Sequence, residues 1–201
     1  MNILIDKLPT TLIINDKEYE INSDFRTSIL FELLMLDDEV SRENKLILAL
    51  QLYYKECPKA EDIDEAIKQM LWFYKCGKEE KKIKGNGNNS NVEAIYSFEY
   101  DDDLIYAAFM SQYKIDLNSI GYLHWWKFKA MFKALNEDNE IVKIMQYRST
   151  DVSKIKDKDQ KAFYKKMQKL HELPKYNKDE LEKLNEISKA LLNGKDVKGM
   201  I

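Results

Sequence analysis

The sequence predicts a mainly α-helical protein, a multi-helix bundle that begins with a small β-hairpin. Apolar residues recur at spacings of three and four along most of the 201-residue chain, as they do on one face of a helix. Only the first twenty-odd residues differ, because two short runs typical of β-strands flank a turn signal there. A chain of this length is long enough for one sizeable domain or two small ones.

Composition and charge exclude several classes of protein. The net charge of −3 is close to balance, so no overall field would draw the chain to nucleic acid or to a membrane. No run of about 18 apolar residues is present, so a transmembrane helix is not expected. The N-terminus also lacks the pattern of a signal peptide. The two cysteines, Cys57 and Cys76, form no CxxC pair. They favour a reducing cytosol as the location of the protein. Both are expected to serve as small apolar residues rather than in redox chemistry.

Residues 1–77 are predicted to form a β-hairpin and three helices. Residues 11–14 and 18–21 flank Asn15 and Asp16, two residue types that tolerate the positive φ of a tight hairpin turn. An isolated hairpin is marginal in water, so this one should pack on a helix.

Helical signals begin directly after the hairpin. Asp24 is placed to cap a first helix, and Ser41 is placed to cap a second. A third helix should end near Gly77, where a C-terminal cap glycine belongs. The apolar stripe of the first helix is predicted to contain Phe25, Ile29, Leu33 and Leu36.

Residues 78–91, KEEKKIKGNGNNSN, interrupt the helical pattern. They lack apolar periodicity and are rich in Gly, Asn and Lys, so they are predicted to be a flexible linker or a long loop. Their glycines follow no strand and do not make a phosphate-binding loop. The C-terminal helical region, residues 92–201, either has a core of its own or shares one with residues 1–77.

The C-terminal region is predicted to be helical. Asp101, Asp102 and Asp103 are expected to cap a helix rather than to bind a metal ion, because adjacent helical side chains diverge by roughly 100°. Further helices are predicted at residues 119–136, 138–147, 157–170 and 178–192.

The helix predicted at residues 119–136 contains two adjacent tryptophans. Trp125 and His124 fall on its main apolar face, which favours a hydrogen-bonded core histidine. Trp126 falls elsewhere on the helix, beside a second, narrower apolar stripe of Leu123, Ala130 and Ala134. Internal packing of Trp126 is favoured, followed by an anchor for a partner protein and then by stacking on a nucleic-acid base.

Charge is distributed unevenly along the chain. Residues 143–175 carry ten basic and four acidic side chains, a net of +6, and residues 1–77 carry nine basic and fifteen acidic ones, a net of −6. The two parts could attract each other within one molecule or between copies. A basic helix also suggests nucleic-acid binding, but the lysines are mixed with acids, which favours a solvated face.

Catalytic patterns are absent from the sequence. His124 and His171 are the two histidines, and neither belongs to an HExxH motif. We therefore expect a protein that is not an enzyme, with no catalytic, cofactor-binding or metal-binding residues.

Four stretches carry a resemblance to a known family: LWFYKCGK, YSFEYDDDLIYAAFMSQYKIDL, YLHWWKFKAMFKAL and IMQYRSTDVSKIKDKDQKAFYKKMQKL. They resemble the phage protein family called Gp-fifteen, which occurs in tailed phages and prophages of Gram-positive bacteria. The similarity extends from about residue 27 to residue 174, the hairpin is compatible with it, and the segment from residue 175 onward is unmatched.

The resemblance implies a role in building a phage tail. Genes of the family lie between those of the major tail protein and the tape-measure protein, the position typical of tail-assembly chaperones. Such proteins are non-catalytic, cover the apolar tape-measure protein, recruit tail-tube subunits and act in the host bacterial cytoplasm. The alternatives are a structural tail-completion or neck component of the virion and, less favoured, a nucleic-acid-binding accessory protein.

A surface for this client follows from the second apolar stripe. Its predicted residues are Leu123, Trp126, Ala130 and Ala134, with Trp72 and Phe73 as weaker candidates. A helix of the client would pack against them. Self-association is a further expectation, because the two ends of the chain carry opposite charge.

Overall fold

A computed structural model describes residues 1–78 and 94–174. In these ranges the chain forms seven α-helices and one two-stranded antiparallel sheet. This confirms the predicted fold class, mainly α-helical with a small N-terminal β-hairpin. The predicted helix at residues 178–192 and almost all of the predicted linker lie outside the described residues.

The chain divides into two compact units. The described part of the first unit consists of residues 1–78 and 122–129, and that of the second consists of residues 94–121 and 130–174. The first unit therefore includes a short segment from the C-terminal region, in addition to the hairpin and three helices predicted for residues 1–77.

The hairpin of the first unit joins strands β1 (Thr11–Ile14) and β2 (Lys17–Glu20). Asn15 and Asp16 both have positive φ, as predicted for a two-residue turn. Side chains alternate between the two faces of the strands, so Leu12, Ile14 and Tyr19 are buried whereas Ile13 is exposed.

Three helices follow the hairpin: α1 (Phe25–Leu36), α2 (Arg42–Tyr53) and α3 (Ile63–Tyr74), the last preceded by a 3-10 turn at Ala60–Asp62. The predicted caps of the first two are confirmed. Asp24 accepts a hydrogen bond from the amide of Arg26, and Ser41 accepts one from the amide of Asn44.

The end of α3 differs by one residue from the prediction. Cys76 occupies the left-handed position that follows the helix, with φ of 58°. The Cys76 amide donates to the Phe73 carbonyl, and the Gly77 amide donates to the Trp72 carbonyl. This is the hydrogen-bond pattern of a Schellman motif. Gly77 also has positive φ, 65°, a conformation that favours glycine.

The second unit contains α4 (Asp102–Tyr113), α6 (Glu140–Ser149) and α7 (Lys158–Leu170). Helix α6 packs on both α4 and α7. Asp157 caps α7 through the amide of Gln160, in agreement with the predicted start. Asp101 precedes α4, but its carboxylate makes no capping bond; it pairs instead with Arg148.

Helix α5 (Trp125–Lys133) contains the boundary between the two units, which follows Lys129. Its predicted start at residue 119 is wrong by six residues. In the described parts of the chain, no helix combines the length and apolar character needed to cross a membrane.

Candidate protein-binding site

The two adjacent tryptophans complete the C-terminal end of α3. The indole N–H of Trp125 donates to the Tyr74 carbonyl at 2.8 Å, and that of Trp126 donates to the Phe73 carbonyl at 2.8 Å. The last carbonyls of a helix have no partner within the helix. Trp125 therefore satisfies the Tyr74 carbonyl, whereas Trp126 adds a second donor to the Phe73 carbonyl, which also accepts from the Cys76 amide. Both tryptophans are buried in the first unit.

His124 holds this arrangement through both ring nitrogens. Nε2 lies 3.0 Å from the carbonyl oxygen of Pro9, which can only accept, so Nε2 carries the proton. Nδ1 then accepts from the amide of Trp126 at 3.1 Å. The histidine is buried, which confirms the predicted hydrogen-bonded core residue.

A short extended segment explains why α5 begins late. Leu123 accepts from the amide of Phe25 at 2.8 Å, and its own amide donates to the Asp24 carboxylate at 2.9 Å. The Trp125 amide donates to the Ser23 carbonyl at 2.9 Å. Residues 122–124 are thus paired with the start of α1 and cannot be helical.

The predicted client surface is not a surface in this conformation. Trp126 is only 4% exposed, so internal packing, the favoured alternative, is confirmed for it. Leu123 and Phe73 are also buried, and these three residues form part of the core of the first unit. Trp72 is half-buried, with its ring 5.5 Å from that of Trp126.

Ala130 and Ala134 have a different environment. Both are exposed, and both belong to the second unit. The six predicted residues therefore form no common exposed patch, because Leu123, Trp126 and Phe73 are buried. Their binding to a client stays a prediction.

Helix α1 packs into the first unit through one well-defined face. Phe25 stacks on Phe128 with ring centroids 4.9 Å apart. Phe31 meets the rings of Tyr53 and Tyr74 edge-on at 5.4 and 5.0 Å. These contacts fix the rotation of α1 about its axis.

The opposite side of α1 is also apolar. Leu30 is 52% exposed, and its neighbours on the helix are half-buried. We define the α1 outer face as Ile29, Leu30, Leu33 and Leu34. Residues three and four apart are neighbours on a helix surface, so these four side chains are contiguous. A helix that is apolar on all sides is usually covered on all sides.

The sequence contained a signal for this face that the stripe prediction missed. Helix α1, FRTSILFELLML, has only two charged residues, Arg26 and Glu32. With so few polar positions, several stripes fit the spacing equally well. The structure buries Phe25, Phe31 and Met35, whereas the predicted stripe residues Ile29, Leu33 and Leu36 are half-buried.

Polar contacts fix α1 at its side and at its C-terminal end. Glu32 accepts from the Tyr74 hydroxyl at 2.7 Å. Burial raises the pKa of Glu32 above its ordinary value, while the hydrogen bond from Tyr74 and the charge of Lys129 oppose this. At the end of the helix, the buried Lys45 ammonium donates to the Met35 carbonyl at 3.0 Å. These bonds leave the α1 outer face uncovered.

Residues 1–78 and 94–174 contain two further kinds of group that could carry chemistry, metal-ligating side chains and cysteine thiols. In this part of the chain, no group of three or more His, Cys, Asp or Glu side chains could hold a metal ion. Burial raises the pKa of the Cys76 thiol, which disfavours its reactive thiolate form.

Comparison with known families decides what kind of protein this is. The sequence model of the family described as Bacteriophage Gp15 protein matches residues 4–173. The chain belongs to this family. The match confirms the resemblance found in the sequence. It also includes the hairpin, because the matched range begins at residue 4. Comparisons with curated proteins and with solved structures gave no match.

Proposed function

We propose that this Gp15-family protein is a non-catalytic tail-assembly chaperone that binds the tape-measure protein of its phage. The observation that carries the proposal is the α1 outer face, a contiguous apolar patch on a helix whose inner side is already packed. A long helical client with apolar stripes is the partner that such a patch fits. Tail-tube subunits would join the complex when the tape-measure protein is released from the chaperone.

The physical basis is packing of a client helix against α1. Full burial of a leucine side chain contributes about 1.5–3 kcal/mol, so covering the exposed half of Leu30 contributes about 1 kcal/mol. Ile29, Leu33 and Leu34 add smaller amounts because they are already half-buried. The four side chains of the patch are uncharged, and Arg26, one turn earlier and 39% exposed, borders it at one end. Salt should therefore affect binding mainly at that end.

The test is co-expression with the tape-measure protein of the same genome, followed by a solubility assay and a pull-down. The parent protein should keep the client soluble and co-purify with it. Leu30→Lys should reduce co-purification at least about tenfold, because binding would bury an unpaired charge. The matched control is Ile13→Lys, which places the same side chain at another exposed apolar position of the first unit.

Two outcomes would contradict the proposal. If Leu30→Lys folds and retains the client as well as Ile13→Lys does, the α1 outer face is not the binding surface. If the client stays insoluble and unbound with the parent protein, the chaperone role itself fails. Mass spectrometry of purified virions would then test the structural tail-completion or neck role.

A further inference from the structure

Helix α7 presents a side that its own unit leaves uncovered. Phe163 is 47% exposed and Leu170 is 68% exposed. Lys166 lies between them, and spacings of three and four place all three on one side of the helix. We define the α7 stripe as Phe163, Lys166 and Leu170. No residue of α7 is buried, so this helix is the least covered of those in the second unit.

The opposite edge of α7 is fixed to α6. Gln168 donates to the carbonyls of Tyr147 and Thr150 at 2.9 and 2.7 Å. Tyr164 meets the Tyr147 ring edge-on, with centroids 6.0 Å apart. Phe163 of the stripe also contacts this ring, at 5.9 Å between centroids, and still leaves 47% of its own surface exposed. These contacts orient the helix and hold the α7 stripe toward solvent.

The charge of α7 is strongly positive. Its thirteen residues contain five lysines and one acid, Asp159, a net of +4. Lys166 belongs to the α7 stripe, and Lys165 and Lys169 of the same helix are also exposed. A partner for this side of α7 should therefore combine apolar surface with acidic side chains.

The first unit carries such a surface at the start of α2. Residues 37–43 contain four acids and one arginine, a net of −3. Glu43 and Ile47 are one turn apart on α2, and Ile47 is 54% exposed. We define the α2 acidic face as Asp38, Glu39, Glu43 and Ile47, all of which are exposed.

We propose that the α7 stripe of one molecule docks on the α2 acidic face of a second copy. Phe163 and Leu170 would cover Ile47, and the exposed lysines of α7 would meet Asp38, Glu39 and Glu43. The α7 stripe and the α2 acidic face are different patches of the same chain, so each copy carries both of them. Such a head-to-tail contact closes into a ring or extends as an open chain of copies.

Self-association through these two faces does not require the client protein. Exposed charge pairs are screened by salt, and the apolar part of each face consists of one or two side chains. The contact should therefore be weak, concentration-dependent and sensitive to ionic strength. Sedimentation velocity of the full chain should show larger species at about 0.05 M salt and smaller ones at about 0.5 M salt.

Two charge-reversal variants make the test specific. The first is Lys165→Glu/Lys166→Glu/Lys169→Glu, and the second is Asp38→Lys/Glu39→Lys/Glu43→Lys. In each variant both faces have the same sign of charge, so each alone should be monomeric. An equimolar mixture should associate again, because every face then has an oppositely charged partner. Circular dichroism of each variant establishes that it is folded.

A third variant tests the apolar part of the contact. Phe163→Ser should weaken self-association at least about tenfold, while Ile13→Ser, the same kind of change on an exposed hairpin residue, should leave it unchanged. The proposal is overturned if the parent is monomeric at low salt, if either charge variant associates as the parent does, or if the mixture stays monomeric. A monomeric parent that binds duplex DNA through the α7 lysines would assign the stripe to nucleic acid instead.

Discussion

Arg148 and Asp101 form a buried, two-pronged ion pair in the second unit. The guanidinium Nη1 and Nη2 atoms lie 2.6 and 3.0 Å from the carboxylate Oδ2 and Oδ1 atoms. The side chains are only 10% and 4% exposed. Arg148 also donates to the carbonyls of His171 and Ile95, and Asp101 accepts from the amide of Ser97. The pair thus joins α6 to the chain segments before α4 and after α7.

We predict that Arg148→Ala strongly destabilises the protein. Removal of one partner of a buried ion pair leaves the other charge uncompensated, which costs about 3–5 kcal/mol. The measurement is the free energy of unfolding from urea titration followed by circular dichroism.

The matched control for this prediction is Arg26→Ala. Arg26 also pairs with an aspartate, Asp24, at 3.1 Å, but its side chain is 39% exposed. Exposed pairs contribute about 0–1 kcal/mol, so the control should lose no more than that. If the two variants lost the same free energy of unfolding, burial of the Arg148 pair would not increase its contribution to stability.

Gly77→Ala should destabilise the first unit by about 2–4 kcal/mol, through a strained backbone and a steric clash. A Cβ atom at Gly77 would lie 2.8 Å from Cη2 of Trp126 and 3.1 Å from Cζ2 of Trp72, and φ is +65°. Thermal unfolding measures the effect. Gly121→Ala is the control, because a Cβ atom there meets nothing within 4 Å. A neutral Gly77→Ala would show that the tryptophan rings adjust freely.

His124 should make stability depend on pH. Burial lowers the pKa of His124 below its ordinary value of 6.5, although the Pro9 carbonyl opposes this. The unfolded chain therefore takes up a proton near pH 6.5, whereas the folded chain does so only at lower pH. Stability from this group is complete above pH 6.5 and falls as the pH drops toward the folded-state pKa.

The measurement is the free energy of unfolding of the parent and of His124→Gln between about pH 7.5 and pH 5. The difference in slope between the two proteins isolates the imidazole, whatever the variant costs in absolute stability. The parent should lose stability more steeply below pH 6.5. Parallel curves for the two proteins would contradict the lowered pKa of His124 in the folded chain.

Glu32 should act in the opposite direction. Its pKa is raised by burial, so the folded chain binds a proton at a pH where the unfolded chain has lost it. The ionised carboxylate thus costs stability at neutral pH, and the cost disappears as the pH falls through the folded-state pKa. Glu32→Gln keeps an acceptor for Tyr74 and should raise the free energy of unfolding at pH 7, with the gain vanishing in acid.

Glu39→Gln is the control for this substitution. It makes the same chemical change at an exposed position between α1 and α2, where no desolvation is relieved. Its effect on stability should be small at every pH. If Glu32→Gln destabilises the protein at pH 7, the carboxylate is stabilised by Tyr74 and Lys129 more than burial destabilises it.

The features that could be predicted from the sequence are those whose signals are local. Asp24, Ser41 and Asp157 cap helices through amides two or three residues away. Asn15 and Asp16 form the hairpin turn by their own backbone preferences. Each of these signals is complete within a few positions of the chain, so distant contacts do not change it.

The features that were missed depend on distant partners. The start of α5 is delayed because residues 122–124 pair with the beginning of α1. Internal packing of Trp126 is the favoured prediction, but its hydrogen-bond partner, the Phe73 carbonyl, lies 53 positions earlier in the chain. A helical wheel contains neither partner. The exposed side of α1 was missed for another reason: its nearly uniform apolar sequence leaves its rotation to be decided by the packing of Phe25 and Phe31.

The tryptophan bonds to α3 have a consequence for how the protein is synthesised. Trp125 and Trp126 reach carbonyls 51 and 53 positions earlier in the chain. A ribosome adds roughly 5–20 residues per second, so about 3–10 seconds separate the translation of the end of α3 from that of Trp125 and Trp126. During that interval the nascent chain holds the hairpin and three helices with the end of α3 still open to water. The unit that contains the N-terminus is therefore completed only after residues 94–121 of the second unit have been made.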